Sequence, residues 1–168
     1  MPMHKTSPKM VAFIAVMAGL ANVFGLVAIP VGPTSIHFMQ LPIILTGLAV
    51  GAVPGASVGL LGSLVMAFSL PTANPYIIVG NAILGLFTGF FYSHIKNWKA
   101  RPIIPQLASV LAAYLIQAPY VYFTDVYLVS MHPAVVQAIL LKLLAEDLVS
   151  LFTSHIIMFR VDIAAKLR

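Results

Sequence analysis

Residues Gly47–Ser63 read "GLAVGAVPGASVGLLGS". Gly47, Gly51, Gly55 and Gly59 recur every four residues, Gly62 follows, and no charge interrupts them. A spacing of four keeps residues on one helix face. Small residues at that spacing let helix backbones approach closely inside a bilayer. The "AVPGAS" break reads as a tight hairpin between two apolar segments, about residues 36–53 and 55–70.

The rest of the chain has the same character. Its 168 residues are 61% hydrophobic and 8% charged, with a mean hydropathy of +1.02. A soluble domain carries about a quarter of its residues as charges. This much apolar surface calls for a bilayer as solvent. With no cysteine, disulfides, thiol catalysis and Cys-ligated metals are excluded. The net charge of +5 does not point to nucleic acid, because the bases gather at segment edges. The N-terminal "MPMHKTSPKM" is basic, but a full-length apolar stretch without a clean cleavage site follows it, so no cleavable signal peptide is expected.

A span needs roughly 20 apolar residues. Six candidates run at about 11–29, 36–53, 55–70, 76–95, 104–123 and 134–160. "IPVGPTS", "LPTANPY", "KNWKARP" and "TDVYLVSMHP" supply the other breaks. Pro42 and Pro119 fall inside candidate spans and are expected to end or kink helices. Strands are not expected, because the runs are continuous rather than alternating and a spanning sheet must close into a barrel. With six spans and the N-terminus inside, Lys5, Lys9, Lys96, Lys99, Arg101, Arg160, Lys166 and Arg168 all lie on the cytoplasmic side, a positive-inside pattern. The expectation is an all-α membrane protein: six transmembrane helices in one compact bundle over residues 1–168, with both termini cytoplasmic. Trp98 reads as an interface anchor.

The pattern resembles a known family. A basic N-terminus leads into "AVMAGLANVFGLVA", then a Pro/Gly loop, then "IHFMQLPIILTGLAVGAVPGASVGLLGSLV". "NPY", "GNAILGLFTGFFY", a basic inner loop and a last helix carrying a lysine complete it. This is similar to the substrate-binding S component of energy-coupling factor (ECF) transporters, which take up vitamins. The likeness covers nearly the whole chain and is most specific from Pro42 to Gly62. There the family's Gly/Pro hairpin is modified by Ala52 and Val53 between Gly51 and Pro54. The family's Ala-x-x-x-Ala motif is replaced by Ala15-x-x-x-Gly19 and Ala21-x-x-x-Gly25.

The resemblance implies a non-enzymatic, multi-pass protein of a prokaryotic cell membrane, with no cofactor. It would bind a vitamin or precursor from outside and topple in the membrane to release it. Its partners would be a transmembrane coupling subunit, contacted through Ala15, Gly19, Ala21 and Gly25, and two cytoplasmic ATPases. The chain has no G-x-x-x-x-G-K-[ST] loop with which to hydrolyse ATP itself. Implied ligands include riboflavin, thiamine or its precursors, biotin and pantothenate; the "IPVGP…FMQ" loop and the short length bear some resemblance to the thiazole-type members.

Polar residues inside a membrane mark candidate sites. Lys142 and Glu146, at i and i+4, share one face of the last helix. They read either as a self-neutralising pair or as a ligand contact, which the resemblance favours. Asp147, turned about 100° away, reads as structural or partner-facing. Asn74, Tyr76 and Asn81 open the fourth span; Gln117, Tyr120 and Tyr122 close the fifth; His37 and Gln40 start the second. Asn81 suits either a ligand or an interhelical hydrogen bond. The tyrosines read as interface anchors or, clustered, as a stacking face for a flat ring. The first loop is either a lid or an ordinary turn. Asp125 and His132 are expected to be solvated loop charges. His37, His94, His132 and His155 show no metal-ligand spacing. Competing readings are a stand-alone carrier or sensor, for which no internal repeat is found, and an intramembrane enzyme using Glu146, Asp147 and a histidine.

Overall fold

A computed structural model describes residues 7–27, 29–31, 34–69, 74–97, 101–161 and 163–167. Lys5, Trp98, Lys99 and Arg168, and the final residue of the third predicted span, lie outside them. Helix α1 (Pro8–Leu26) opens on Ser7, whose side chain accepts a hydrogen bond from the Met10 amide, with Pro8 at the first helical position. Both features suit a helix start, where backbone N–H groups otherwise lack partners.

A short antiparallel hairpin follows, β1 (Ile29–Val31) with β2 (Thr34–Ile36), pairing Ile29 with Ile36 and Val31 with Thr34. This corrects the expectation of a chain without strands. The loop after the first span has to satisfy its own backbone groups, and its Ile, Val and Thr residues suit extended pairing.

Helix α2 (Gln40–Ala49) and helix α3 (Ala52–Leu61) form the central hairpin, and α4 (Leu64–Ser69) continues α3 after a break. The turn falls at Gly51, not at Pro54. Gly51 has φ +125°, a conformation open to glycine and strained for other residues. Pro54 sits in the first turn of α3, where its missing N–H disrupts nothing. Pro42 is likewise in the first turn of α2, so the expected kink there does not arise. The break between α3 and α4 is spanned by Asn22, which donates to the Leu61 carbonyl at 2.9 Å and accepts from the Val65 amide at 2.9 Å.

Helix α5 (Tyr76–Ile95) and helix α6 (Ile103–Phe123) follow. α6 passes through Pro119 and winds on as a π-helical turn, Thr124–Leu128. The predicted outer loop is therefore partly helical. α7 (Pro133–Arg160) is the longest element and α8 (Ile163–Lys166) ends the described chain. Ser7 donates to the Leu167 carbonyl at 3.2 Å, tying the start of α1 to the residue after α8.

Glycine governs the centre. α3 runs antiparallel to α5, with Gly51 beside Gly89, Gly55 beside Gly85 and Gly59 beside Asn81. A Cβ at Gly55, Gly59, Gly85 or Gly89 would overlap the facing backbone. The sequence repeat thus becomes backbone-to-backbone packing. On α1, Ala21 lies against Gly62, and Gly25 against Met39 and Met66.

The molecule is apolar outside and carries polar groups within. Val16, Leu20, Val53, Phe68, Phe90, Leu115 and Phe159 are exposed, whereas Gln40, Asn81, Gln117, Glu146 and Asp147 are buried. A monomer in water rarely shows such extensive apolar surface; a bilayer accommodates it. Among the described residues, α1, α5 and the Ile103–Leu128 run are long and apolar enough to cross a membrane. α7 has 28 residues, long enough at about 1.5 Å each, but it carries Lys142, Glu146 and Asp147. α2 and the α3–α4 run are shorter.

Candidate functional site

The helices converge on a cavity at one end of the bundle. β2, the start of α2, α4, the start of α5, the end of α6, the π-helical turn and the first half of α7 surround it. The opposite end carries Lys96, Arg101 and Arg160. The cavity holds about 330 Å³. Its polar wall includes Gln40, Asn74, Asn81, Gln117, Thr124, Asp125 and Lys142. Its apolar wall includes Met39, Met66, Val121, Met131, Val135, Ile139 and Leu143.

Lys142 lies about two and a half turns into α7 and lines this cavity. Its Nζ is 3.4 Å from Glu146 Oε2, and the two side chains are 13% and 3% exposed. Glu146 is not itself a lining residue. Its Oε1 accepts the His37 backbone N–H at 2.7 Å and lies 3.7 Å from the His37 ring. Glu146 therefore does two things. It offsets the ammonium of Lys142, and it ties the segment between β2 and α2 to the last helix. The His37 ring lines the cavity.

The amides form a second group. Asn81 donates to Ser63 Oγ at 2.8 Å, so the interhelical role expected of it is present while it also lines the cavity. Gln117 donates to the Gly80 carbonyl at 3.1 Å, leaving its Oε1 without a protein partner. Gln40 lines the cavity with both polar atoms of its side chain lacking a protein hydrogen bond. Buried amides normally find partners, so Gln40 and Gln117 offer one donor group and two acceptors to whatever enters.

Just before α5, Asn74 accepts the Ile77 backbone N–H and donates to Asp125 Oδ1 at 2.8 Å. Asp125 is 6% exposed, which corrects the expectation of a solvated loop charge. The π-helical turn keeps the chain wound beyond Phe123 and swings Asp125 inward. Of the tyrosines, Tyr76 lines the cavity. Tyr120 packs beside Gly80 and donates to the Tyr76 carbonyl at 3.2 Å, bracing α5 instead of lining the cavity. His132 remains at the surface, where its ring accepts the Ala134 amide at the start of α7. Among the described residues no three His, Cys, Asp or Glu side chains gather to hold a metal.

Residues 5–160 match the family model described as ECF-type riboflavin transporter, S component. The chain belongs to this family. A solved structure described as the S component of a bacterial ECF transporter has the same fold, with a TM-score of 0.71 over 90% of this chain and 94% of that one, at 19% identity. Comparison with curated proteins finds no match. The protein is thus a membrane transport component and not an enzyme.

The four small residues of α1 in this S component divide by face. Ala21 and Gly25 are buried against α3, α4 and the α2 entrance, so they pack internally. Ala15 and Gly19 are exposed, and a Cβ at Gly19 would meet nothing within 4 Å. Sequence reasoning did not single out Met39, Met66, Met131, Thr124 or Ser35. Methionines adapt well to varied ligand shapes, but in a sequence this apolar they carry no contrast.

Proposed function

We propose that this S component binds riboflavin from outside the cell and delivers it through an ATP-driven complex. The observation that carries this reading is the two-sided cavity in a chain of the riboflavin-type family. A flavin ring is flat, with a pyrimidine edge of alternating donors and acceptors and an apolar dimethylbenzene edge. The unpartnered amides of Gln40 and Gln117, with Asn81 and Lys142, suit the first edge. Met39, Met66 and Leu143 suit the second. The thiazole-type likeness of the first loop gives way to this fit.

In this reading Lys142, Asn74, Tyr76, Asn81, His37, Gln40 and Gln117 are ligand contacts. Glu146 and Tyr120 act behind them, as positioning residues. The six helical units are six spans with cytoplasmic termini, which puts the cavity at the outer face by the positive-inside rule. The β-hairpin, whose Ser35 lines the cavity, serves as a lid. The exposed Ala15–Gly19 face of α1 docks a transmembrane coupling subunit, which is joined by two ATPases. The chain is a multi-pass subunit of a prokaryotic cytoplasmic membrane and needs no cofactor of its own.

Mass spectrometry of the small molecule released on denaturing the purified protein tests this. Riboflavin is expected. Release of thiamine, a thiazole, biotin or pantothenate in its place would overturn the ligand assignment.

A further inference from the structure

We infer that Asp125 is a specificity-determining residue that bars phosphorylated, anionic ligands from the cavity. The inference rests on the flavin reading above and assigns its charge selectivity. Among the described residues, Lys142 and Asp125 are the formally charged side chains that line the cavity, apart from the titratable His37. The Lys142 ammonium is already matched by Glu146 at 3.4 Å. Among the described residues Asp125 has no such match: Asn74, which donates to its Oδ1 at 2.8 Å, is neutral. The Asn74 amide is oriented by the Ile77 N–H, which occupies its oxygen, so its nitrogen must face Asp125.

With the lining Lys142 matched by Glu146 behind it, Asp125 is the lining charge left without a counter-ion among the described residues. Charges in a site shielded from water interact far more strongly than at a surface. A dianionic phosphate ester beside Asp125 meets a like charge and, among the described residues, no unmatched cation lining the cavity. A neutral polyol chain meets instead a carboxylate that accepts hydrogen bonds from hydroxyls. Discrimination of this kind works by repulsion of the wrong ligand as much as attraction of the right one.

The test compares riboflavin with riboflavin 5′-phosphate, by flavin fluorescence titration of the full chain in lipid nanodiscs. The wild type should prefer riboflavin. Asp125→Asn, which can keep the Asn74 contact, should narrow that preference by about tenfold or more, chiefly by tightening phosphate-ester binding. Asp125→Glu, which keeps the charge, should preserve the preference; a merely structural role for Asp125 would not separate these two variants. If Asp125→Asn does not fold, Asp125→Ser carries the same expectation. Riboflavin binding with an unchanged preference in the neutral variants overturns the charge filter alone. Absence of any flavin binding by the wild type overturns the flavin reading and the filter with it.

Discussion

Glu146 holds a lysine on its own helix and a backbone amide from the segment before α2. Removing one partner of a buried ion pair leaves the other charge uncompensated, at a cost of roughly 3–5 kcal/mol. Lys142→Ala should therefore lower the melting temperature and also weaken riboflavin binding. The double variant Lys142→Met, Glu146→Gln removes both charges, so it should recover most of the stability and not the affinity. Thermal denaturation and calorimetry on the same samples separate the two effects. Recovery of full affinity in the double variant would reduce Lys142 to a structural role. The i,i+4 relation of Lys142 and Glu146 was legible in the sequence because helix geometry dictates it. The His37 amide was not, since a backbone donor 109 residues away leaves no mark on residue type. Asp125 was misread for a related reason: "TDVYLVSMHP" looks like a loop by its polar ends, and nothing local announces a π-helical turn.

The elements α3 and α5 meet through glycine. Gly85→Ala places a methyl group against the Gly55 carbonyl. Overpacking of this kind costs about 1–3 kcal/mol, more where backbone faces backbone and no side chain can yield. The variant should melt well below wild type, and an unchanged melting temperature would contradict the packing described. On α1, Gly19→Leu points into open space, so it should leave folding and ligand binding intact. It should block co-purification with the coupling subunit; survival of the complex would remove that face as the docking surface. The glycine repeat was readable because only close backbone approach explains such spacing in an apolar run. The division of α1 into an inner face, Ala21 and Gly25, and an outer face, Ala15 and Gly19, needed the neighbours. Two overlapping small-residue patterns on one helix look alike until α3 and α4 are placed. The hairpin turn moved from Pro54 to Gly51 because proline is harmless in a first helical turn, whereas the reversal itself requires a positive φ.

At the scale of the molecule, composition alone pointed to a bilayer, and six helical units stand where six apolar segments were expected. The cavity as an assembled object was out of reach, because its wall draws on five helices, a strand and a π-helical turn. The orientation is open to direct experiment, since the chain contains no cysteine. A single Ser130→Cys should react with an impermeant thiol reagent added outside intact cells, and Asn97→Cys only after lysis. The reverse labelling would invert the topology and place the cavity on the wrong side for uptake. The central claim, that the cavity is a riboflavin site, is tested most directly by titrating the purified, ligand-free protein with riboflavin and following the quenching of flavin fluorescence. The account predicts saturation at one flavin per chain with sub-micromolar affinity, lost by about tenfold or more in Gln40→Leu. Unquenched fluorescence across the micromolar range, or an affinity indifferent to Gln40, would contradict it.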